Sequence, residues 1–183
     1  MGLTPLHFAC QRGHTKIAHY ILDYVKDYKD IVKLYGYSTY SDVSPLHLAS
    51  EHGLFSVVRR IVENLEDKFP LDGCGKSPMY HAVIGGSLKV FKLLHSYSTE
   101  INPYVFIGNK TTLLHKSVME EQYEITKFIL EKLPMSQRNP PDKNGYTPLV
   151  LASSKENDEL VNLIKNFIEL PFDNENPLQV YEL

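Results

Sequence analysis

The stretch TPLHFACQRG, residues 4–13, decides the fold, because closely similar stretches return four times along the chain. The copies are SPLHLASEHG from Ser44, SPMYHAVIGG from Ser77, TLLHKSVMEE from Thr112 and TPLVLASSKE from Thr147. Their starts lie 40, 33, 35 and 35 residues apart. A repeat of this period indicates a stack of similar units, each packed on its neighbours, instead of one central core.

An apolar pattern of helical period follows each copy, so every unit is predicted to contain two helices. The apolar residues of the five patterns are Ile17, Ala18, Ile21 and Leu22; Val57, Val58, Ile61 and Val62; Val90, Phe91, Leu93 and Leu94; Ile125, Phe128, Ile129 and Leu130; and Leu160, Val161, Leu163 and Ile164. Each set forms one stripe along a helix and can face a neighbouring helix. The chain is therefore predicted to be all-α.

The first helix of each unit has a clear start signal. Ser or Thr stands directly before Pro in four units, and Thr112 stands before Leu113 in the other. A Ser or Thr side chain can accept a hydrogen bond from a free N–H of the first turn, and Pro at the next position has no N–H to satisfy. Helices are thus expected to begin directly after these residues.

The turn between the two helices of a unit is marked by glycine in the first three units. These glycines are Gly13, Gly53 and Gly86, nine residues after each cap, where a turn with positive φ is predicted. Glu121 and Glu156 replace the glycine in the last two units. We expect these units either to turn with strain or to let the next residue, Gln122 or Asn157, take the turn.

The chain resembles the ankyrin repeat family in its Thr-Pro-Leu-His box, its spacing near 33 residues and the glycine turns before the caps. The resemblance implies an all-α solenoid of about five helix-turn-helix repeats joined by β-turns or hairpins. We expect an ankyrin repeat domain over residues 1–170, with units starting near 1, 40, 72, 107 and 142. A C-terminal tail is expected over residues 171–183.

Three further residues depart from the family pattern. Tyr80 and Val150 stand where the motif has histidine, and Lys110 stands where the hairpin has glycine. Because weak units of a repeat stack open from the end that they occupy, the C-terminal helix pair is expected to open first.

The junction over residues 23–41 holds about seven residues more than the family period. We expect the second helix of the first unit to run on into it, with Tyr20 and Tyr24 packed against the neighbouring helix. Tyr37 and Tyr40 are instead expected at an interface, since tyrosine offers a large rigid contact area with a polar end.

The composition excludes several classes of function. Lys+Arg total 19 against Asp+Glu 22, for a net charge of -3, so no global positive field is available to hold nucleic acid. No apolar run approaches the roughly 18 residues of a membrane span, so no membrane insertion is expected. Two cysteines cannot form a disulfide framework, which favours a cytoplasmic location, with the nucleus as an alternative. The isolated domain is expected to be monomeric.

Neither a metal site nor an active site is expected. His7, His47 and His115 recur with the repeat and therefore lie on separate units, too far apart for one ion. In the family such histidines bond the turn near the capping residue. Cys10 is predicted to be an inert buried thiol and Cys74 an exposed one. No cofactor and no catalytic residue is predicted.

The resemblance implies a binding face on the concave side, made of hairpin tips and inner-helix ends. Position by position, the family pattern assigns to this face Gln11, Arg12, Tyr40, Ser41, Val43, Glu51, His52, Lys76, Ile84, Met119, Glu120, Lys143, Tyr146, Ser154 and Lys155. Val43, Ile84, Met119 and Tyr146 would form an apolar strip between charged edges, as an interface core does.

These residues predict a non-catalytic scaffold module that binds another protein. The chain is also expected to be a fragment of a larger protein. An alternative is a regulatory domain that senses a small anionic ligand or nucleotide, held by Arg12, Lys76 and Lys155. A structural spacer that binds nothing is a third hypothesis.

Asn102 is a candidate modification site. With Glu100 and Leu94 before it, it resembles the family pattern read by the asparaginyl hydroxylase of ankyrin domains. The simpler hypothesis is that its side chain only bonds the hairpin backbone.

Overall fold

The computed structural model describes residues 3–24, 43–98 and 110–169, and these residues form ten α-helices. The all-α prediction is confirmed for this part of the chain. The helices are α1 (Pro5–Gln11), α2 (Thr15–Asp23), α3 (Pro45–Glu51), α4 (Phe55–Asn64), α5 (Pro78–Ile84), α6 (Leu88–Ser96), α7 (Leu113–Met119), α8 (Tyr123–Lys132), α9 (Pro148–Ser154) and α10 (Asp158–Glu169). A short 3₁₀ helix, Met135–Gln137, follows α8.

The helices pair in chain order, and we number the pairs as units 1 to 5. Each unit has a seven-residue inner helix followed by an outer helix of nine to twelve residues. Inner helices pack on inner helices and outer helices on outer ones, so every unit contacts its neighbours along the stack. Apart from Ile17, which is exposed, the apolar stripes predicted from the sequence meet between the units; in α4, for example, Val57, Val58, Ile61 and Val62 are completely buried.

The turns inside the units lie at the predicted positions. Gly13, Gly53 and Gly86 have φ of 70°, 67° and 68°, in the region that favours glycine. Of the two expected alternatives for units 4 and 5, the first is confirmed, because Glu121 and Glu156 themselves take the turn at φ of 56° and 55°. These glutamates occupy the left-handed region, which is unfavourable for a residue with a side chain.

Units 2 and 3 approach each other closely at Gly85, the residue directly after α5. A Cβ placed on Gly85 would lie 1.6 Å from the carbonyl oxygen of Glu51, the last residue of α3. Since φ at Gly85 is -76°, the absent side chain is needed for space and not for an unusual backbone.

Two expectations for the first junction are wrong. Helix α2 ends at Asp23 instead of running on, and the Tyr24 N–H closes it by bonding the Ile21 carbonyl at 3.1 Å. Tyr20 and Tyr24 are exposed and do not pack in the core. Their rings contact each other, with centroids 5.1 Å apart. Tyr37, the rest of the junction and the tail 171–183 lie outside the described residues.

None of the described helices combines the length and the apolar character that crossing a membrane requires.

Candidate protein-binding surface

The motif histidines of units 1, 2 and 4 each bond the segment that leads into the next unit. The Thr4 N–H donates to Nδ1 of His7 at 3.1 Å, so this nitrogen is an acceptor and the ring proton is on Nε2. Nε2 then donates to the Val43 carbonyl of unit 2 at 3.1 Å. His47 likewise reaches the carbonyls of Pro70 and Lys76, at 3.0 and 3.1 Å. The expected structural role of these histidines is confirmed, and it places the hairpins beside the inner helices.

Burial keeps the motif histidines neutral. It lowers the pKa of His7 and His115, although a backbone carbonyl bonded to each ring acts in the opposite direction. The pKa of His47 falls to about 4, first through burial and then through the charge of His81. Neutral rings of this kind can donate to a carbonyl and accept from an N–H at once.

Unit 3 carries a buried charged group that the sequence pattern did not reveal. Nδ1 of His81 lies 2.9 Å from Glu51 Oε2, and Nε2 lies 3.0 Å from Asp72 Oδ2. Both nitrogens can donate to these carboxylates only when the imidazole is protonated. Burial by itself would raise the pKa of Asp72, but hydrogen bonds from the Lys76 N–H, the His81 ring and the Cys74 N–H together lower it. The group therefore ties the hairpin and α5 to the end of α3.

In unit 3, Tyr80 stands where the motif has histidine, and among the described residues its ring contacts lysines instead of a backbone carbonyl. The Tyr80 ring is buried, and the ammonium groups of Lys76 and Lys116 lie 5.1 and 5.5 Å from its centroid. Such distances allow cation–π attraction, which positions two lysines from neighbouring units beside one ring. Lys116 also pairs with Glu120, one turn further along α7.

Two hairpin tips have the same geometry. Oδ1 of Asp72 accepts from the N–H groups of Cys74 and Lys76, at 2.9 and 2.8 Å. Oδ1 of Asp142 accepts from Asn144 and Tyr146 in the same way, at 2.8 and 2.9 Å. These bonds fix turns that project Lys76 and Tyr146 beside the inner helices, where the family pattern places binding residues.

The predicted face residues differ in how free their side chains are. Exposed members are Gln11, Arg12, His52, Met119, Lys143, Tyr146, Ser154 and Lys155, and half-buried members are Val43, Glu51, Lys76, Ile84 and Glu120. Besides Lys76, which lies over the Tyr80 ring, three of them contact an oppositely charged or ionisable side chain of the chain itself. Glu51 bonds His81, Glu120 pairs with Lys116, and Lys155 lies 3.5 Å from Glu121. Tyr40, Ser41 and Asn102 lie outside the described residues.

The described residues contain no group of three or more His, Cys, Asp or Glu side chains arranged to hold a metal ion. Cys10 is completely buried, and burial raises the pKa of its thiol to about 12, while Cys74 is exposed. The predictions for both thiols are confirmed. A thiol that stays protonated at neutral pH is a poor nucleophile.

Sequence comparison agrees with this architecture. The family model described as "Ankyrin repeats (3 copies)" matches residues 1–68 and 46–134. The chain belongs to the ankyrin repeat family. The matched residues include units 1 to 4, and α9 and α10 form a fifth pair of the same build beyond them.

A human relative is similar to a large part of this ankyrin array. Transient receptor potential cation channel subfamily A member 1 is 28% identical over 135 residues, which cover 71% of this chain. The aligned part is 11% of the channel's length. The likeness therefore concerns one stretch of a much longer protein.

Proposed function

We propose that the chain is a non-catalytic interaction module that binds another protein through its concave face of hairpins and inner-helix ends. The observation that carries this proposal is that Met119 and Tyr146 remain exposed on the face, while the rest of α7 is largely buried. Exposed apolar and aromatic side chains at such positions have the character of interface anchors. The family's general role in protein binding supports the same assignment.

The charges on this face favour a partner segment that carries acidic residues. Glu51 and Glu120 already contact His81 and Lys116, whereas the described ion pairs include none made by Arg12, Lys76 or Lys143. These three cationic side chains are therefore available to a partner, although the chain as a whole is at -3. Complementary charge of this kind steers association and fixes register more than it adds affinity.

Selection from a displayed library of random 12-residue peptides against the 183-residue chain tests the proposal. We expect enriched peptides to combine acidic and apolar residues. Their affinity, measured by fluorescence anisotropy, should fall at least about tenfold with Met119→Asp or Tyr146→Ala. Lys127→Ala on the exposed side of α8 is the matched control and should leave the affinity unchanged. Peptides that lose affinity with Lys127→Ala and keep it with the other two variants would contradict the proposal.

The anionic-ligand alternative needs Arg12, Lys76 and Lys155 to act together. They belong to units 1, 3 and 5, and Lys155 already contacts Glu121. A thermal-shift measurement with ATP and with inorganic phosphate separates the two functions, because a ligand that binds only the folded chain raises its melting midpoint. We expect neither compound to do so. That the chain is a fragment of a larger protein, with its ankyrin domain over 1–170, stays a prediction that the complete transcript can test.

A further inference from the structure

The two ends of the stack differ in the residues that they leave to solvent. Ile17 in α2 is 52% exposed, whereas the residues at the same position of units 2 to 5 are at most 1% exposed. Those residues are Val57, Val90, Ile125 and Leu160. Unit 1 differs from the others in having no preceding unit packed on it within the described residues. A preceding helix pair is therefore what covers this position elsewhere in the molecule.

The exposed side chains beside Ile17 are also large and apolar. Phe8 of α1, Tyr20 of α2 and Tyr24, which directly follows α2, are each more than half exposed. At the position of Tyr20, unit 4 has Phe128 and unit 5 has Leu163, both at least half-buried. We call Phe8, Ile17, Tyr20 and Tyr24 together the N-terminal edge. Ile17, Tyr20 and Tyr24 follow one another at helical spacing, and Phe8 lies on the helix packed beside them. Exposed apolar surfaces of this kind mark contact sites.

At the opposite end of the stack, unit 5 has exposed polar residues at two positions that are buried in other units. Cys10, Ser50, Val83 and Val118 are completely buried at one inner-helix position, and the equivalent residue in unit 5 is the exposed Ser153. On the outer helix, Lys165 is exposed where Leu22, Val62 and Leu130 are buried. Polar residues at buried-type positions are what a terminal unit of a repeat array needs. The N-terminal edge has no such substitution.

We propose that the N-terminal edge is a stacking surface for another ankyrin-type helix pair, in the register in which each unit here packs on the one before it. The units repeat head to tail, so the leading side of one unit is shaped to receive the trailing side of another. A second copy of the described chain could offer only its own apolar leading side or its polar trailing side. Neither reproduces the contact that buries Val57 or Val90.

The probe is a copy of unit 4 placed before unit 1, because unit 4 already packs on a unit that has a side chain, Lys155, at the position of Arg12. Joining residues 112–146 directly to Thr4 recreates the 35-residue spacing that separates Thr112 from Thr147. We expect the melting midpoint of the extended chain to rise by at least about 5 °C. Amide exchange in α2 should slow at least about tenfold, because α2 changes from an edge helix to an interior one.

The variant Ile17→Asp tests whether the N-terminal edge produces this rise in the melting midpoint. In the original chain it should move the midpoint by no more than about 2 °C, since the side chain is already in solvent. In the extended chain it should remove most of the gain, because the new interface would bury an unpaired carboxylate. Lys16→Asp, at the neighbouring exposed position, should have little effect in either chain.

Three outcomes would overturn the proposal. A gain that survives Ile17→Asp would show that the added unit does not use this edge. A large destabilisation of the original chain by Ile17→Asp would show that other residues of the chain already cover it. A dimer of the original chain in light scattering, dissociated by Ile17→Asp, would assign the edge to a second copy instead.

Discussion

Units 2 and 3 meet through a close backbone contact and a buried imidazole, whereas units 4 and 5 meet partly through side chains at the surface. At the first junction Gly85 lies against the Glu51 backbone, and the buried His81 ring bridges the half-buried Glu51 and the buried Asp72. At the second, Glu121 contacts Lys155 at 3.5 Å and Asn157 at 3.2 Å, and all three side chains are at least partly exposed. Water screens exposed charges, and close-packed interiors tolerate little change. The same template therefore yields junctions of unequal strength.

The largest expected effect is at Gly85. Gly85→Ala places a methyl group against the Glu51 carbonyl and should lower the free energy of unfolding by more than about 3 kcal/mol, since units 2 and 3 must move apart. Urea unfolding followed by circular dichroism measures the loss. Arg12→Ala, at the equivalent position of unit 1, is the control and should cost less than about 0.5 kcal/mol. A Gly85→Ala chain with unchanged unfolding would mean that the helices are not held this closely.

Acid should weaken the units that carry the motif histidine. The folded pKa of His47 is about 4, below its ordinary value of 6.5, so the unfolded chain takes up a proton first. The stabilisation is complete above pH 6.5 and is lost as the pH falls towards 4. For His47 alone the loss is on the order of 3 kcal/mol. His7 and His115, whose pKa values are also lowered, act in the same direction.

Urea unfolding at pH 7, 6, 5 and 4 measures this loss. His47→Gln should be less stable at pH 7 and should show a flatter dependence on pH. An equally steep dependence in His47→Gln would assign the acid sensitivity to other groups. Because unit 5 has Val150 in place of the histidine, amide exchange in α9 should respond to acid less than exchange in α3.

Removing the buried bridge should cost more than removing the exposed one. His81→Gln removes the ring that contacts both Asp72 and Glu51, and we expect a loss of about 2 kcal/mol in the free energy of unfolding. Lys155→Ala removes the exposed pair with Glu121 and should change it by less than about 0.5 kcal/mol. Equal losses for the two variants, measured under the same conditions, would refute the contrast between the junctions.

The smallest effect is a gain. Glu156→Gly relieves a backbone at φ of 55° and should raise the free energy of unfolding by about 0.5–1 kcal/mol, after the greater chain entropy of glycine is counted. Glu121→Gly should gain less, since it also gives up the contacts with Lys155 and Asn157. Gly13→Ala is the reverse change at an uncrowded turn and should cost about 1 kcal/mol. If Glu156→Gly lowers stability, the glutamate turn is not strained.

Local signals predicted most of the fold. The cap, the histidine and the turn residue lie within ten positions of one another, so the sequence displays them as one motif, and the structure has them where expected. The buried bridge was not foreseen, because its members are 30 and 9 residues from His81 and only the packing of unit 3 on unit 2 brings them together. The end of α2 was also missed, since Tyr20 and Tyr24 continue a helical spacing that the helix does not use.

The sequence predicted the candidate binding face only in part, for a similar reason. The family pattern gives the positions of Glu51, Glu120 and Lys155 but not their intrachain partners. These partners are His81, Lys116 and Glu121, and two of the three belong to another unit. A carboxylate that appears available in the sequence is already satisfied in the folded chain.

The bonds made by the motif histidines also run in one direction along the chain, which matters while the protein is being synthesised. The acceptor of His7 is Val43, 36 residues later, and the acceptor of His115 is Tyr146, 31 residues later. A unit that has just left the ribosome therefore holds an unmatched ring nitrogen until the next hairpin has been made. With Val150 at this position, the fifth unit needs no later carbonyl and can close as soon as its own two helices have emerged.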